Sequence, residues 1–104
     1  MEKRILKENS FSNMLFVANI VTRILVEHKE DGEISDILID DYGQCIHVTI
    51  KDAAGLMAST AMEIGQAFGD KQGANIHALG PDEFELVFCN IKYGRNHENK
   101  ANIN

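Results

Sequence analysis

Cys45, Ile46 and His47 set a thiol and an imidazole two residues apart, a spacing that puts both on one side of an extended chain. Such a pair could give a metal two ligands, or give a covalent catalyst its nucleophile and base. Either chemistry needs further groups. A zinc site takes three or four ligands, and the other donors, His28, His77 and Cys89, fall on other predicted elements or the opposite face. A Cys89–His77 nucleophile pair across the second predicted hairpin would need hydrogen-bond reach and a third, orienting group. Cys89 is instead expected to face the core, where a cysteine behaves as a small inert hydrophobe. The residues therefore predict no catalytic set, no metal and no cofactor.

Carboxylates crowd between positions 27 and 41: Glu27, Glu30, Asp31, Glu33, Asp36, Asp40 and Asp41 stand against Lys29 alone. They could hold a divalent cation or meet a basic partner, as a nucleic-acid-mimicking inhibitor does. Turn chemistry, which uses Asp and Gly for backbone reasons, accounts for most of them. The tips Asp40-Asp41 and Asp82-Glu83 are expected at the same end of the sheet. Gly65, Gly69 and Gly73 recur every four residues, which is read as close packing and a helix stop. They lack the strand-first context of a phosphate-cradling loop.

The formal net charge of −6 on 104 residues disfavours nonspecific binding to nucleic acid or an anionic membrane. A chain of this length buries roughly two-thirds of its unfolded surface and needs no staples. Two cysteines make no disulfide framework, and with no secretory signal visible a reducing cytoplasmic location is predicted. The apolar stretch Met14 to Val26 is interrupted by Asn19, Thr22 and Arg23 and is too short to span a bilayer. No membrane partner and no nucleic-acid partner are expected.

The elements that must position these groups follow from periodicity. Residues 3–7 could open the chain as an edge strand. Ser10 is a suitable N-cap for a helix from Phe11 to Lys29, with Met14, Val17, Ala18, Val21, Ile24 and Leu25 on one face. Asn13, Asn19, Arg23, Glu27 and Glu30 fall opposite; Phe16, Ile20 and Val26 flank the polar side. Gly32 suits a left-handed cap, and Ile34–Ile39 and Gln44–Lys51 form a hairpin. Ile46, Val48 and Ile50 alternate with Cys45, His47 and Thr49. Asp52 is expected to cap a second helix, Ala53 to Phe68. A second hairpin follows, Asn75–Leu79 and then Asp82 to Ile91, turning at Gly80-Pro81.

The result is one α+β domain over residues 1–94, with 95–104 a disordered polar tail. Its order is (β)αββαββ: a two-layer sandwich with two helices on one face of an antiparallel or mixed sheet, possibly ferredoxin-like. A gapless shift of 41 residues aligns the two halves, bringing Gly32 onto Gly73 and Asp41 onto Asp82. It also aligns Ile46, Val48 and Ile50 with Val87, Cys89 and Ile91, which puts both triplets under the helices. Phe84, Leu86 and Phe88 are then left on the open face beside Cys45, His47 and Thr49.

An apolar patch of that kind asks for an occupant. Base stacking on its aromatics is disfavoured, since Glu83 and Glu85 flank them and basic residues are missing. The reading is a non-enzymatic interaction or regulatory module, homodimeric through Phe84, Leu86, Phe88, Cys45, His47 and Thr49, with another protein as a further possible partner. The alternative is a small-molecule sensor or small enzyme with an apolar pocket between two facing sheets, where His47 and Thr49 supply the polar groups.

Overall fold

A computed structural model describes residues 5–40 and 44–89. Two helices and four strands follow in the order α1 (Phe11–Glu27), β1 (Glu33–Asp40), β2 (Cys45–Lys51), α2 (Ala58–Ala67), β3 (Asn75–Gly80) and β4 (Glu83–Cys89). All neighbouring strands pair antiparallel, in the order β1-β2-β4-β3. The fold is α+β, with β2 and β4 central. Residues 5–7 form no strand, and positions 3–4, 41–43, 90–91 and the 95–104 tail lie outside the described residues.

Ser10 caps α1 as expected, its hydroxyl accepting from the Asn13 amide at 3.1 Å. Val17, Ile20, Val21, Ile24 and Leu25 are buried. Asn13, expected on the polar side, is buried too, and donates through Nδ2 to the Glu8 carbonyl at 3.2 Å. That bond removes the penalty of burying its amide. The segment before the helix runs beside edge strand β1: Leu6 enters the core, and Asn9 Oδ1 accepts from the Ile39 amide at 2.6 Å. A side chain thus satisfies an edge amide where a strand had been expected.

The second helix starts later than predicted, and Asp52 does not cap it. Asp52 takes a left-handed φ of 59°, and the Ala53 amide donates to the Asp82 carbonyl at 2.9 Å, so the chain continues as a loop past Gly55. The cap comes from a distance. Glu30 Oε2 accepts from the Met57 amide at 3.1 Å and from the Thr60 hydroxyl at 2.5 Å, setting a carboxylate at the positive end of α2. His28 Nε2 meets Glu63 Oε1 at 2.7 Å and joins the two helices again.

The close approach read from the glycines is present. A Cβ on Gly65 would lie 2.3 Å from the Gly73 carbonyl carbon, and the Ala74 amide donates to the Ala61 carbonyl at 3.0 Å. Helix backbone here touches strand-entry backbone, and only hydrogen fits between them.

The face assignment of β4 is corrected. Phe84, Leu86 and Phe88 stand opposite Ile50, Val48 and Ile46, on the helix-covered face. Leu86 and Phe88 are fully buried, and the Phe88 ring stacks on Phe68 with centroids 5.0 Å apart. Val87 and Cys89 face away. The cause is a bulge: Leu79 is an extra residue between the pairs Ala78–Phe84 and Gly80–Glu83. One inserted residue inverts every later side chain, and a gapless repeat cannot represent it. The hairpin tips also lie at opposite ends of the sheet, because β2 and β4 run antiparallel.

Candidate functional site

Of the six residues expected on the open face, the structure keeps Cys45, His47 and Thr49 there and turns Phe84, Leu86 and Phe88 to the helix-covered side, Leu86 and Phe88 in the core and Phe84 partly buried against it. The face that remains is mostly polar. Across it, His47 stands between Leu38 of β1 and Val87 of β4, while Thr49 stands between Asp36 and Glu85. Cys45 stands between Asp40 and Cys89, and Asn75 and His77 continue the Val87 and Glu85 rows onto β3.

At the centre an imidazole sits between two carboxylates. His47 Nδ1 is 3.2 Å from Glu85 Oε2, and Nε2 is 3.2 Å from Asp40 Oδ2. Both acids reach it diagonally across the ladder, the second-nearest cross-strand position. The Nδ1 contact meets hydrogen-bond geometry, and the Nε2 contact lies within ion-pair distance. Among the described residues Asp40 Oδ1 is buried without a hydrogen-bond partner. With both nitrogens facing fixed acids, His47 is placed as a structural bridge across three strands.

Among the described residues two open depressions border the sheet, and neither is lined by His47 or Thr49. One, of about 570 Å³, lies among Gly69, Lys71, Gln72, Gly73, Asn75 and Cys89. The other gathers Asp31, Asp52 and Asp82 beside Gly32. Among the described residues no group of three or more His, Cys, Asp or Glu is placed to hold a metal ion. No helix among them is long and apolar enough to cross a membrane.

Sequence reasoning missed the outer flank of α1. Phe11, Leu15 and Val26 are 81, 48 and 68% exposed. At 100° per residue they fall on one stripe with Ala18 and Thr22, none of them charged. Phe16, on the other flank, meets Phe68 beyond α2 edge to face at 6.4 Å, so the stripe looks away from α2. The missed signal was the position of the polar residues: Asn19, Arg23 and Glu27 fill only part of the solvent arc. The missed signal on β4 was charge, since Glu83 and Glu85 share parity with Val87 and Cys89. Burying Val87 and Cys89 would bury these two carboxylates with them and leave Phe84, Leu86 and Phe88 outside, the costlier arrangement.

Comparison with protein-family models, characterised proteins and solved structures finds no match to this chain.

Proposed function

We propose that the chain is a non-enzymatic protein-interaction module that pairs with a second copy of itself through the outer flank of α1. The observation carrying this is the uncharged stripe Phe11, Leu15, Ala18, Thr22 and Val26 on a protein of which 25% is charged. Interface centres are depleted of charge and rich in aromatics in this way. The stripe is also close to self-complementary. Phe11 and Val26 stand equally far from the Ala18–Asn19 midpoint, as do Leu15 and Thr22. Two antiparallel copies about a two-fold axis there would set Phe11 against the partner's Val26, with the small central residues allowing close approach.

The open sheet face is the poorer surface for self-pairing. Asp36, Asp40, Glu83 and Glu85 share it, and a second copy would bring like charges together. The topology fits a ferredoxin-like relative, since β4 fills the central slot that a leading strand holds in that order. Such a likeness of order carries no function. A cytoplasmic setting accords with two cysteines held as thiols.

Sedimentation over a concentration series tests the pairing. The wild-type chain is expected to dimerise with a Kd on the order of micromolar, as small apolar interfaces do. Phe11→Asp and Leu15→Glu are expected to give folded monomers, because both sites are exposed and acids suit the first turns of a helix. Val87→Asp should leave the dimer intact. A wild-type chain monomeric at every concentration overturns the proposal. So does a dimer that survives Phe11→Asp and dissociates with Val87→Asp.

A further inference from the structure

Cys45 and Cys89 are 44 residues apart in the chain and directly opposite each other across the central β2–β4 pair. The sequence reading had set them on different faces; the inverted parity of β4 brings them onto one. Antiparallel partners alternate between hydrogen-bonded pairs and closer pairs that share no backbone bond. The Cys89 amide donates to Asp70 Oδ2 at 2.8 Å, on the side away from β2. Cys45 and Cys89 therefore form the closer kind, whose Cα atoms lie about 4.5 Å apart. That spacing is at the short end of the range a disulfide bridges, about 4.4–6.8 Å.

Access is asymmetric. Cys89 is exposed and lines the open depression of about 570 Å³ with Lys71, Gln72, Gly73 and Asn75, whereas Cys45 is half-buried. Asp70 is fully engaged, its Oδ1 accepting from the Gln72 amide at 3.0 Å, so the turn beside Cys89 is held in shape. One thiol meets solvent, and the second stands beside it, half-buried.

We propose that Cys45 and Cys89 are a reversible redox pair, oxidised by a low-molecular-weight disulfide of the glutathione type. The Cys89 thiolate attacks one sulfur of that disulfide, and the other sulfur leaves as a thiolate, giving a mixed disulfide on Cys89. The Cys45 thiolate then attacks Cys89 Sγ and expels the second small thiol. The two protein thiols lose two protons and two electrons in all, and one small disulfide becomes two thiols. The bridge would form where Cys89 meets solvent, and exposed disulfides are the more easily reduced, so the pair acts as a switch and not a staple. Closing it ties the two central strands beside His47 and Asp40.

The test uses the full chain in buffers of graded oxidised-to-reduced glutathione ratio, followed by acid quench, alkylation and mass spectrometry. The expected product is a chain lighter by two hydrogens and not cross-linked to another, with both cysteines protected and linked to each other on digestion, and restored by dithiothreitol. Cys45→Ser is expected to accumulate the glutathione adduct on Cys89, and Cys89→Ser to react at least tenfold more slowly. Two alkylatable thiols at every ratio overturn the proposal. A stable adduct on wild-type Cys89, or chains cross-linked to one another through it, does so as well.

Discussion

The two central strands, β2 and β4, are each seven residues long and lie side by side, yet their sequences differ in how they declare a face. In β2 every second residue is a β-branched aliphatic, and the intervening Cys45, His47 and Thr49 are polar or small. In β4 both parities carry apolar side chains: Phe84, Leu86 and Phe88 on one, Val87 and Cys89 on the other. The buried set of β2 is apparent from alternation alone. That of β4 is decided by its neighbours, through the bulge at Leu79 and the pairing of Phe88 with Ile46. Where a strand is apolar on both sides, the charges among its residues mark the outer side better than the hydrophobes mark the inner one.

Truncation across β4 tests this contrast most sharply. Phe88→Ala removes a fully buried ring stacked on Phe68 and is expected to lower unfolding free energy by about 3–5 kcal/mol in urea titration. Val87→Ala, one residue earlier on the open side, is expected to cost below about 1 kcal/mol. Equal losses would break the comparison. The seat of α2 over the covered side is next in size. Gly65→Ala forces a methyl against the Gly73 and Ala74 backbone and is expected to cost about 1–3 kcal/mol, lowering the thermal midpoint by several degrees. No loss there would mean that α2 stands farther from β3 than described.

Smaller effects belong to the polar ties. Glu30→Ala removes the acceptor for both the Met57 amide and the Thr60 hydroxyl, and about 1 kcal/mol of cap stabilisation should go with it. Amide exchange should quicken in the first turn of α2 and not in α1. His47→Ala on the open face is expected to change stability by less than about 1 kcal/mol, since the ring and both acids are partly exposed to water. A loss several times larger would show that the bridge among β1, β2 and β4 holds the sheet, which would weaken the contrast between its two sides.

By itself the sequence determined two helices and two hairpins, the Ser10 cap and the close packing at Gly65 and Gly73, whereas the left-handed cap expected at Gly32 falls on Lys29, at φ 57° just past the end of α1. These are local properties: a hydroxyl before an apolar stripe, a residue without Cβ, alternation within a few residues. It also placed Cys45, His47 and Thr49 outside the core, because their strand neighbours Ile46, Val48 and Ile50 left no other choice.

The tertiary structure alone decided the rest. Glu30 caps a helix 27 residues away, and Asn9 satisfies an edge amide 30 residues away; neither partnership has a local signature. The side of β4 that meets the helices turned on one extra residue at Leu79, and a slip of one is enough to exchange core for solvent. That slip turned three large apolar side chains from an expected docking face to the helix-covered side. It also brought Cys89 to Cys45, because a strand's period of two lets a single insertion reverse which residues can meet.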